Sequence, residues 1–132
     1  MPVSRFGVSL EEDKLKALDA YVKENNFSNR SQAIRMLVEK NLVEKKWQNN
    51  SIVAGAITIL YDHHKTDISK KLNEVQHDYF QYILASQHFH LTHDNCLEII
   101  AVKGPAEKLV ELSGKLIGAK GVKHGDLVMS TV

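Results

Sequence analysis

The segment His88-Phe89-His90, followed by the single cysteine Cys96, is the sequence feature that most constrains the fold. Side chains two residues apart in a β-strand lie on the same face, so both imidazoles can point into one volume. A tight turn that pairs Leu91 with Asn95 would bring the chain back as a second strand. In that register Cys96 lies opposite His90, and Glu98 lies opposite His88. The spacing therefore predicts a β-hairpin that gathers two imidazoles and a thiolate on one face.

Each of these residues also has an ordinary structural interpretation. A histidine in a strand is commonly a hydrogen-bonding group, and a lone cysteine is commonly a small core residue. A metal site is the favoured interpretation because a single register places three soft donors side by side. The residue types alone do not choose between planar Ni(II) or Cu(II) and tetrahedral Zn(II). His63 and His64 allow a weaker external metal, although solvated polar groups at a strand end are the favoured interpretation.

Composition and charge predict two small modules. The chain has 132 residues, of which 43% are hydrophobic and 25% charged, as expected for a globular protein. It contains neither a long apolar run nor a secretory leader, so we expect a cytoplasmic protein that does not contact membranes. All seven histidines follow residue 62. A polar stretch over residues 47–51 predicts a linker between a module at 1–46 and a second module at 52–132.

The N-terminal module is predicted to contain one strand and two helices. Residues 5–10 alternate in polarity, which predicts a short strand with Phe6, Val8 and Leu10 turned inward. A helix with an apolar stripe of Leu15, Leu18 and Val22 follows. Asn29 is the predicted N-cap of a second helix, with Gln32 in the capping-box position. The predicted buried face of that helix consists of Ala33, Ile34, Leu37, Val38 and Leu42.

One strand and two short helices bury too little to fold alone, so the missing half is predicted to be a second copy. Two such strands would pair as an antiparallel ribbon suited to the DNA major groove. Residues 28–35, Ser-Asn-Arg-Ser-Gln-Ala-Ile-Arg, resemble the start of the second helix of a ribbon-helix-helix module. The resemblance implies that Arg5, Gly7 and Ser9 face bases, while the amides of Asn29, Arg30 and Ser31 and the side chain of Arg35 bind phosphates. The alternative is a dimerisation module that does not bind DNA.

The C-terminal module is predicted to be an α+β ferredoxin-like domain. Residues 52–61 are apolar and β-branched, which predicts a central strand. Thr66 or Asp67 caps a helix, two strands follow over about 82–91 and 96–103, and Gly104-Pro105 starts a second helix. A last strand covers 122–129. The order β-α-β-β-α-β is that of a split βαβ sandwich. The inward positions are Ile68, Leu72 and Val75 on the first helix and Leu109, Leu112 and Leu116 on the second.

Nearly the whole chain resembles the nickel-responsive regulators of the NikR type, which join a ribbon-helix-helix to an ACT-like ferredoxin-fold domain. The matching pieces are Val75-Gln76-His77, the His88 to His90 segment, residues 93–98 and residues 121–125. The resemblance implies one Ni(II) per chain in a homotetramer, a dimer of dimers. Its ligands would be His88, His90 and Cys96 of one chain and His77 of another. Gln76 and Glu98 would orient the imidazoles, and Lys65 would contact DNA.

The resemblance implies a repressor in which Ni(II) promotes binding to a palindromic operator. Gln32 and Met36 depart from the acidic residues with which the best-known members bind a second cation. Two other functions remain open from the sequence. One is a ribbon-helix-helix repressor that senses an amino acid or another ligand and uses its histidines structurally. The other is a small metal hydrolase with Glu98 as general base, although no substrate pocket is evident. Cu(II), Zn(II) and Co(II) remain possible metals.

Overall fold

A computed structural model describes residues 1–65 and 67–132. The chain divides into two compact units, Met1–Asn41 and Leu42–Val132. The boundary lies within a helix, α2, which covers Arg30–Gln48 without a break. Residues 47 and 48 of the expected linker are therefore helical. Trp47 is buried in the core of the second unit, where its indole N–H donates to the carbonyl of Ser130 at 2.9 Å.

The first unit contains helix α1, Glu12–Glu24, and the first part of α2. Residues 1–11 form neither helix nor strand, so the strand expected at 5–10 is not formed in the single chain. Phe6, Val8 and Leu10, expected to turn inward, are 74%, 61% and 39% exposed. The physical reason is that a strand requires a hydrogen-bonding neighbour, and one chain offers this segment none.

The start of α2 follows the sequence prediction. The side-chain oxygen of Asn29 accepts the backbone N–H of Gln32 at 2.9 Å, as an N-cap does. The side-chain amide oxygen of Gln32 accepts the N–H of Ser28, one residue earlier than in a standard capping box. Two of the N–H groups at this end of the helix are thereby satisfied.

The apolar face of α2 is not buried as predicted. Ala33 is fully buried, but Leu37, Val38 and Leu42 are 45%, 53% and 48% exposed. Helix α1 contains no buried residue at all. The helices therefore form where the sequence places them, but the single chain covers their apolar sides only in part, with Leu15, Leu18, Val22 and Ile34 half-buried.

The second unit is a four-stranded antiparallel sheet with two helices. Strand β1 covers Ile52–Tyr61, β2 Ile83–His90, β3 Cys96–Pro105 and β4 Val122–Met129. Helix α3 covers Ile68–Asp78, a 3-10 turn covers Phe80–Tyr82, and α4 covers Ala106–Ile117. The sheet order is β2-β3-β1-β4, and every adjacent pair is antiparallel. This α+β arrangement is compatible with the predicted ferredoxin-like domain.

The core of this unit lies between one face of the sheet and the two helices. Ile57 and Ile100 pair across β1 and β3 and are fully buried. Burial along β3 alternates from Cys96 onward, so Cys96 and Glu98 share the buried face. All six helix positions predicted to point inward are at most 6% exposed. Within the described ranges, no helix combines the length and apolar character needed to cross a bilayer.

The start of α3 differs from the prediction. Of the two candidate caps, Thr66 lies outside the described residues. Asp67 occupies the N-cap position, but its backbone is left-handed, with φ of 69°, and its carboxylate makes no capping hydrogen bond. A side-chain cap requires an extended backbone, which this conformation does not provide. The Asp67 carbonyl still accepts the N–H of Lys71 at 2.9 Å.

Candidate metal centre

The hairpin between β2 and β3 has the predicted register. His90 lies opposite Cys96, and His88 lies opposite Glu98. The N–H of Leu91 donates to the carbonyl of Asn95 at 2.9 Å and closes the turn. Two imidazoles, one thiol and one carboxylate consequently share one face at this end of the sheet.

His88 and Cys96 are close enough to act on one ion. Nδ1 of His88 lies 3.9 Å from the sulfur of Cys96. The imidazole is half exposed, whereas Cys96 is only 2% exposed. The pair thus places a buried sulfur beneath an accessible nitrogen, a combination that suits a soft or borderline transition metal.

Glu98 is the centre of a buried hydrogen-bond network. It is 1% exposed. One carboxylate oxygen accepts the hydroxyl of Tyr61 at 3.1 Å, and the other accepts the amide of Gln76 at 2.8 Å and the hydroxyl of Ser86 at 3.1 Å. The second oxygen also lies 3.6 Å from Nε2 of His88. Within one chain, Gln76 therefore contacts Glu98, and Glu98 in turn lies beside the His88 ring.

Tyr61 is a member of this network that the sequence analysis did not identify. Its hydroxyl oxygen lies 3.3 Å from Nδ1 of His88 as well as 3.1 Å from Glu98. Burial, with the adjacent charges of Glu98 and Cys96, raises the pKa of Tyr61 well above its usual value. The hydroxyl therefore stays protonated and can donate. The available signal was its position at the end of β1, directly opposite Cys96 in the β1–β3 ladder.

His90 is positioned differently from His88. Its ring packs edge-on against His63, with centroids 4.8 Å apart. The His63 ring also lies against that of His64, with centroids 4.0 Å apart and the planes tilted by 40°. Nδ1 of His63 is buried with no hydrogen-bond partner among the described residues. Loss of hydration and the neighbouring rings of His64 and His90 lower the pKa of His63. His90 therefore belongs to a cluster of imidazoles beside the His88–Cys96 pair.

One further group of donors lies at the outside of the hairpin. His64, His93 and Asp94 place ligand atoms within 4.8 Å of one another, and all three are exposed. It is the one such group of three or more His, Cys, Asp or Glu residues among the residues that the structure describes. Nε2 of His64 also lies 2.8 Å from the carbonyl of His93, a contact that joins the turn after β1 to the hairpin turn.

His77 lies apart from the hairpin donors. It is exposed near the end of α3, and its ring stacks on Phe80 with centroids 6.4 Å apart. Its neighbour Gln76 points toward Glu98, so His77 faces another direction. The four predicted ligands His77, His88, His90 and Cys96 do not form a close group within one chain.

In the first unit, three of the residues predicted to contact DNA lie around one cavity. Arg5, Ser31 and Arg35 line a cavity of about 570 Å³ between the N-terminal segment and α2. Gly7 and Ser9 are exposed on the same segment. The side chain of Arg30 has a different partner, since its guanidinium binds both carboxylate oxygens of Asp19, at 2.8 and 3.0 Å.

In the second unit, Lys65 lines a separate cavity of about 520 Å³ at the start of α3. Lys71 and Lys120 line the same cavity, and the sequence analysis identified neither. Asp67 lines it as well, so three ammonium groups and one carboxylate leave a net positive charge, which favours an anion such as a phosphate.

Comparisons with known proteins agree with a metal site built from the histidines and the cysteine of the hairpin. Residues 54–130 match the family described as the NikR C-terminal nickel-binding domain. The chain is 48% identical over 130 residues to a protein of Syntrophus aciditrophicus, covering 98% of this chain and 95% of the relative. It is 46% identical over 129 residues to one of Chlorobium phaeobacteroides, covering 98% and 96%. Both relatives carry the name "Putative nickel-responsive regulator".

The chain belongs to the nickel-responsive regulator family. The predicted resemblance is thereby confirmed, and Ni(II) is the metal of its C-terminal domain. Two imidazoles and a thiolate on one hairpin fit that metal. The family is one of regulators rather than enzymes.

A solved structure supports the fold over more than half of this nickel-responsive regulator. An uncharacterized protein of Thermotoga maritima superposes with a TM-score of 0.54 at 20% identity, covering 60% of this chain and 98% of that one. At this level of identity the likeness concerns the fold alone.

Proposed function

We propose that this nickel-responsive regulator is a cytoplasmic repressor that binds a palindromic DNA operator when each chain holds one Ni(II). The observation that carries the proposal is the hairpin register, which sets His88 and His90 beside Cys96 on one face. The nickel-binding description of residues 54–130 also argues against the alternative in which the histidines are purely structural.

The proposed ligands are His88, His90 and Cys96 of one chain and His77 of a second chain. Support for a shared site comes from the exposed position of His77, away from the hairpin of its own chain. A ligand from a neighbour makes metal binding and assembly one event, so nickel stabilises the homotetramer. When bound, the metal supplies a link between chains.

The residues around the ligands fix the orientation in which the ligands bind the metal. Cys96 has to lose its proton to bind nickel, and each imidazole has to be neutral. Glu98 lies beside the His88 ring, and Gln76 holds the Glu98 carboxylate at 2.8 Å. These two residues therefore orient His88, in the manner of the carboxylates that commonly support metal-bound histidines.

For the first unit we propose a ribbon-helix-helix dimer. Support comes from the exposed apolar side chains of residues 6–10 and of α2, which a second copy would cover. Pairing of the two N-terminal segments would also satisfy their backbone groups. Arg5, Gly7 and Ser9 would then face bases, while Arg35 and the amides of Asn29, Arg30 and Ser31 would bind phosphates. Lys65, beside Lys71 and Lys120, would add a phosphate contact from the second unit.

Regulation follows if nickel favours tetramers whose two DNA-binding dimers reach both halves of one operator. A coupling free energy of about 1–3 kcal/mol, typical of allostery, changes DNA affinity roughly 5- to 150-fold. The contacts with phosphates also make binding weaken as salt rises.

The test begins with selection of DNA duplexes from a random library by the nickel-loaded protein. Affinity for the selected duplex is then measured with Ni(II) and with a chelator at one salt concentration. We expect a palindromic sequence and an affinity at least about fivefold higher with nickel. Equal affinity in the two conditions would contradict a nickel-dependent repressor.

A further inference from the structure

We infer that Tyr61, Gln76 and Ser86 determine metal selectivity by keeping the Glu98 carboxylate as a hydrogen-bond acceptor, so that it does not become a ligand. The inference rests on the proposed nickel site. It assigns a role to two residues, Tyr61 and Ser86, that act through Glu98.

The three donors hold Glu98 from three different elements. Tyr61 is the last residue of β1, Gln76 is on α3 and Ser86 is on β2, while Glu98 itself is on β3. Their polar atoms lie 2.8–3.1 Å from the carboxylate. Because both oxygens are bonded, the carboxylate cannot turn without breaking a hydrogen bond whose donor is fixed by secondary structure.

Without these hydrogen-bond donors, coordination of a metal by Glu98 would be energetically favoured. It lies two residues from Cys96 on the same face and 3.6 Å from the ring of His88. A buried carboxylate that loses a hydrogen bond leaves an unsatisfied charged oxygen, which is costly. An ion held by His88 and Cys96 would be the nearest cation able to satisfy that oxygen.

A carboxylate ligand would change which metal is preferred. Nitrogen and sulfur donors in a plane suit Ni(II) and Cu(II), whereas Zn(II) readily takes carboxylate oxygen in tetrahedral sites. By retaining Glu98 as a hydrogen-bond acceptor, the three donors would exclude its carboxylate oxygens from the metal ligands. Selectivity for nickel over zinc would then depend on the hydroxyl of Tyr61, which alone among the three bonds the first carboxylate oxygen.

The central experiment is competition between Ni(II) and Zn(II) for the full-length protein. The variant is Tyr61→Phe, which keeps the ring and removes the hydroxyl. The control is Tyr79→Phe, because Tyr79 is also buried, at 8% exposure, but makes no hydrogen bond to Glu98. We expect the ratio of bound nickel to bound zinc to fall about tenfold or more in Tyr61→Phe, a size typical for loss of an outer partner of a metal ligand. The control should match the wild type.

X-ray absorption at the zinc edge separates this role from a structural one. Zinc-loaded Tyr61→Phe should gain one oxygen ligand. The double variant Tyr61→Phe, Glu98→Gln should gain no carboxylate ligand and should show no change in the ratio of bound nickel to bound zinc. Ser86→Ala should shift the ratio in the same direction, and Ser86→Thr, which retains a hydroxyl, should restore it. Ser86 is exposed, so these two variants also test the idea if Tyr61→Phe fails to fold.

The outcomes distinguish two failures. If the wild type binds nickel and neither Tyr61→Phe nor Ser86→Ala changes the metal ratio, the role of the three donors is wrong and the nickel site stands. If the wild type takes up no nickel, the proposed function itself is wrong.

Discussion

His90 and Cys96 are direct partners in the antiparallel ladder between β2 and β3. The pairing sets an imidazole and a thiol on the same face of adjacent strands, one strand spacing apart. His88, two residues before His90, adds its ring at 3.9 Å from the same sulfur. Cys96 therefore lies opposite one hairpin histidine and within reach of the ring of the other.

Cys96→Ser tests this convergence. Serine is close in size to cysteine, but its hydroxyl is a much poorer ligand for nickel than a thiolate. We expect nickel affinity to fall by more than the roughly 10- to 100-fold that is typical for loss of an outer partner of a metal ligand. Absorption from thiolate-to-nickel charge transfer should also disappear. The measurements are chelator competition and the ultraviolet–visible spectrum of the nickel-loaded protein.

The matched control for Cys96→Ser is Ser113→Ala, a similarly small change at a buried position, on α4. It should leave nickel affinity unchanged. If the nickel-loaded wild type shows no such band, or Cys96→Ser binds nickel as tightly as the wild type, the sulfur is not a ligand.

His77 is predicted to act on a neighbouring chain, and mixed assemblies test this directly. His77→Ala and Cys96→Ala should each lose tight nickel binding alone. Unfolded and refolded together in equal amounts, they should regain about a quarter of the sites, because a site is complete where an intact hairpin meets an intact His77 of the other variant. Equilibrium dialysis with nickel measures this fraction. No recovery in a mixture that assembles normally would mean that all four ligands come from one chain.

The second unit could be predicted from the sequence because its patterns are local. The run of apolar residues in β1, the helical spacing of Leu109, Leu112 and Leu116, and the turn after Leu91 each determine an element and its buried face. The hairpin register then follows, since a slip by one residue would turn Cys96 away from the core.

Other features could not be predicted because they depend on more than one segment or more than one chain. The strand at residues 5–10 requires a partner strand, so its pattern of alternation produces no strand in a single chain. The role of Tyr61 depends on the packing of β1, α3 and β3 around one carboxylate, so its position at the end of β1 becomes informative only once the pairing of β1 with β3 is known. The edge-on contact between His90 and His63 likewise joins residues 27 positions apart.

Arg5 and Lys65 are predicted to make two different kinds of DNA contact. Arg5→Ala should cost about 1–3 kcal/mol in binding to the selected operator, with a smaller loss on unrelated DNA, because arginine reads base edges. Lys65→Ala should weaken binding to both duplexes alike and reduce the magnitude of the salt slope by about one, because it contacts phosphate. Fluorescence anisotropy over a series of salt concentrations measures both effects. A uniform loss for Arg5→Ala would place that residue on the backbone of the DNA instead.

The exposed face of α2 is predicted to be the dimer interface of the first unit. Val38 is 53% exposed in the single chain, and its burial by a second copy would contribute up to about 1.5–3 kcal/mol per side chain. Val38→Glu would place a charge in that interface, so we expect smaller assemblies by light scattering and loss of operator binding. Nickel uptake at the hairpin should remain detectable. Lys40→Ala changes the net charge by the same amount on the roughly opposite side of the helix and should preserve both assembly and binding. If Val38→Glu assembles and binds the operator like the wild type, this face of α2 does not form the dimer.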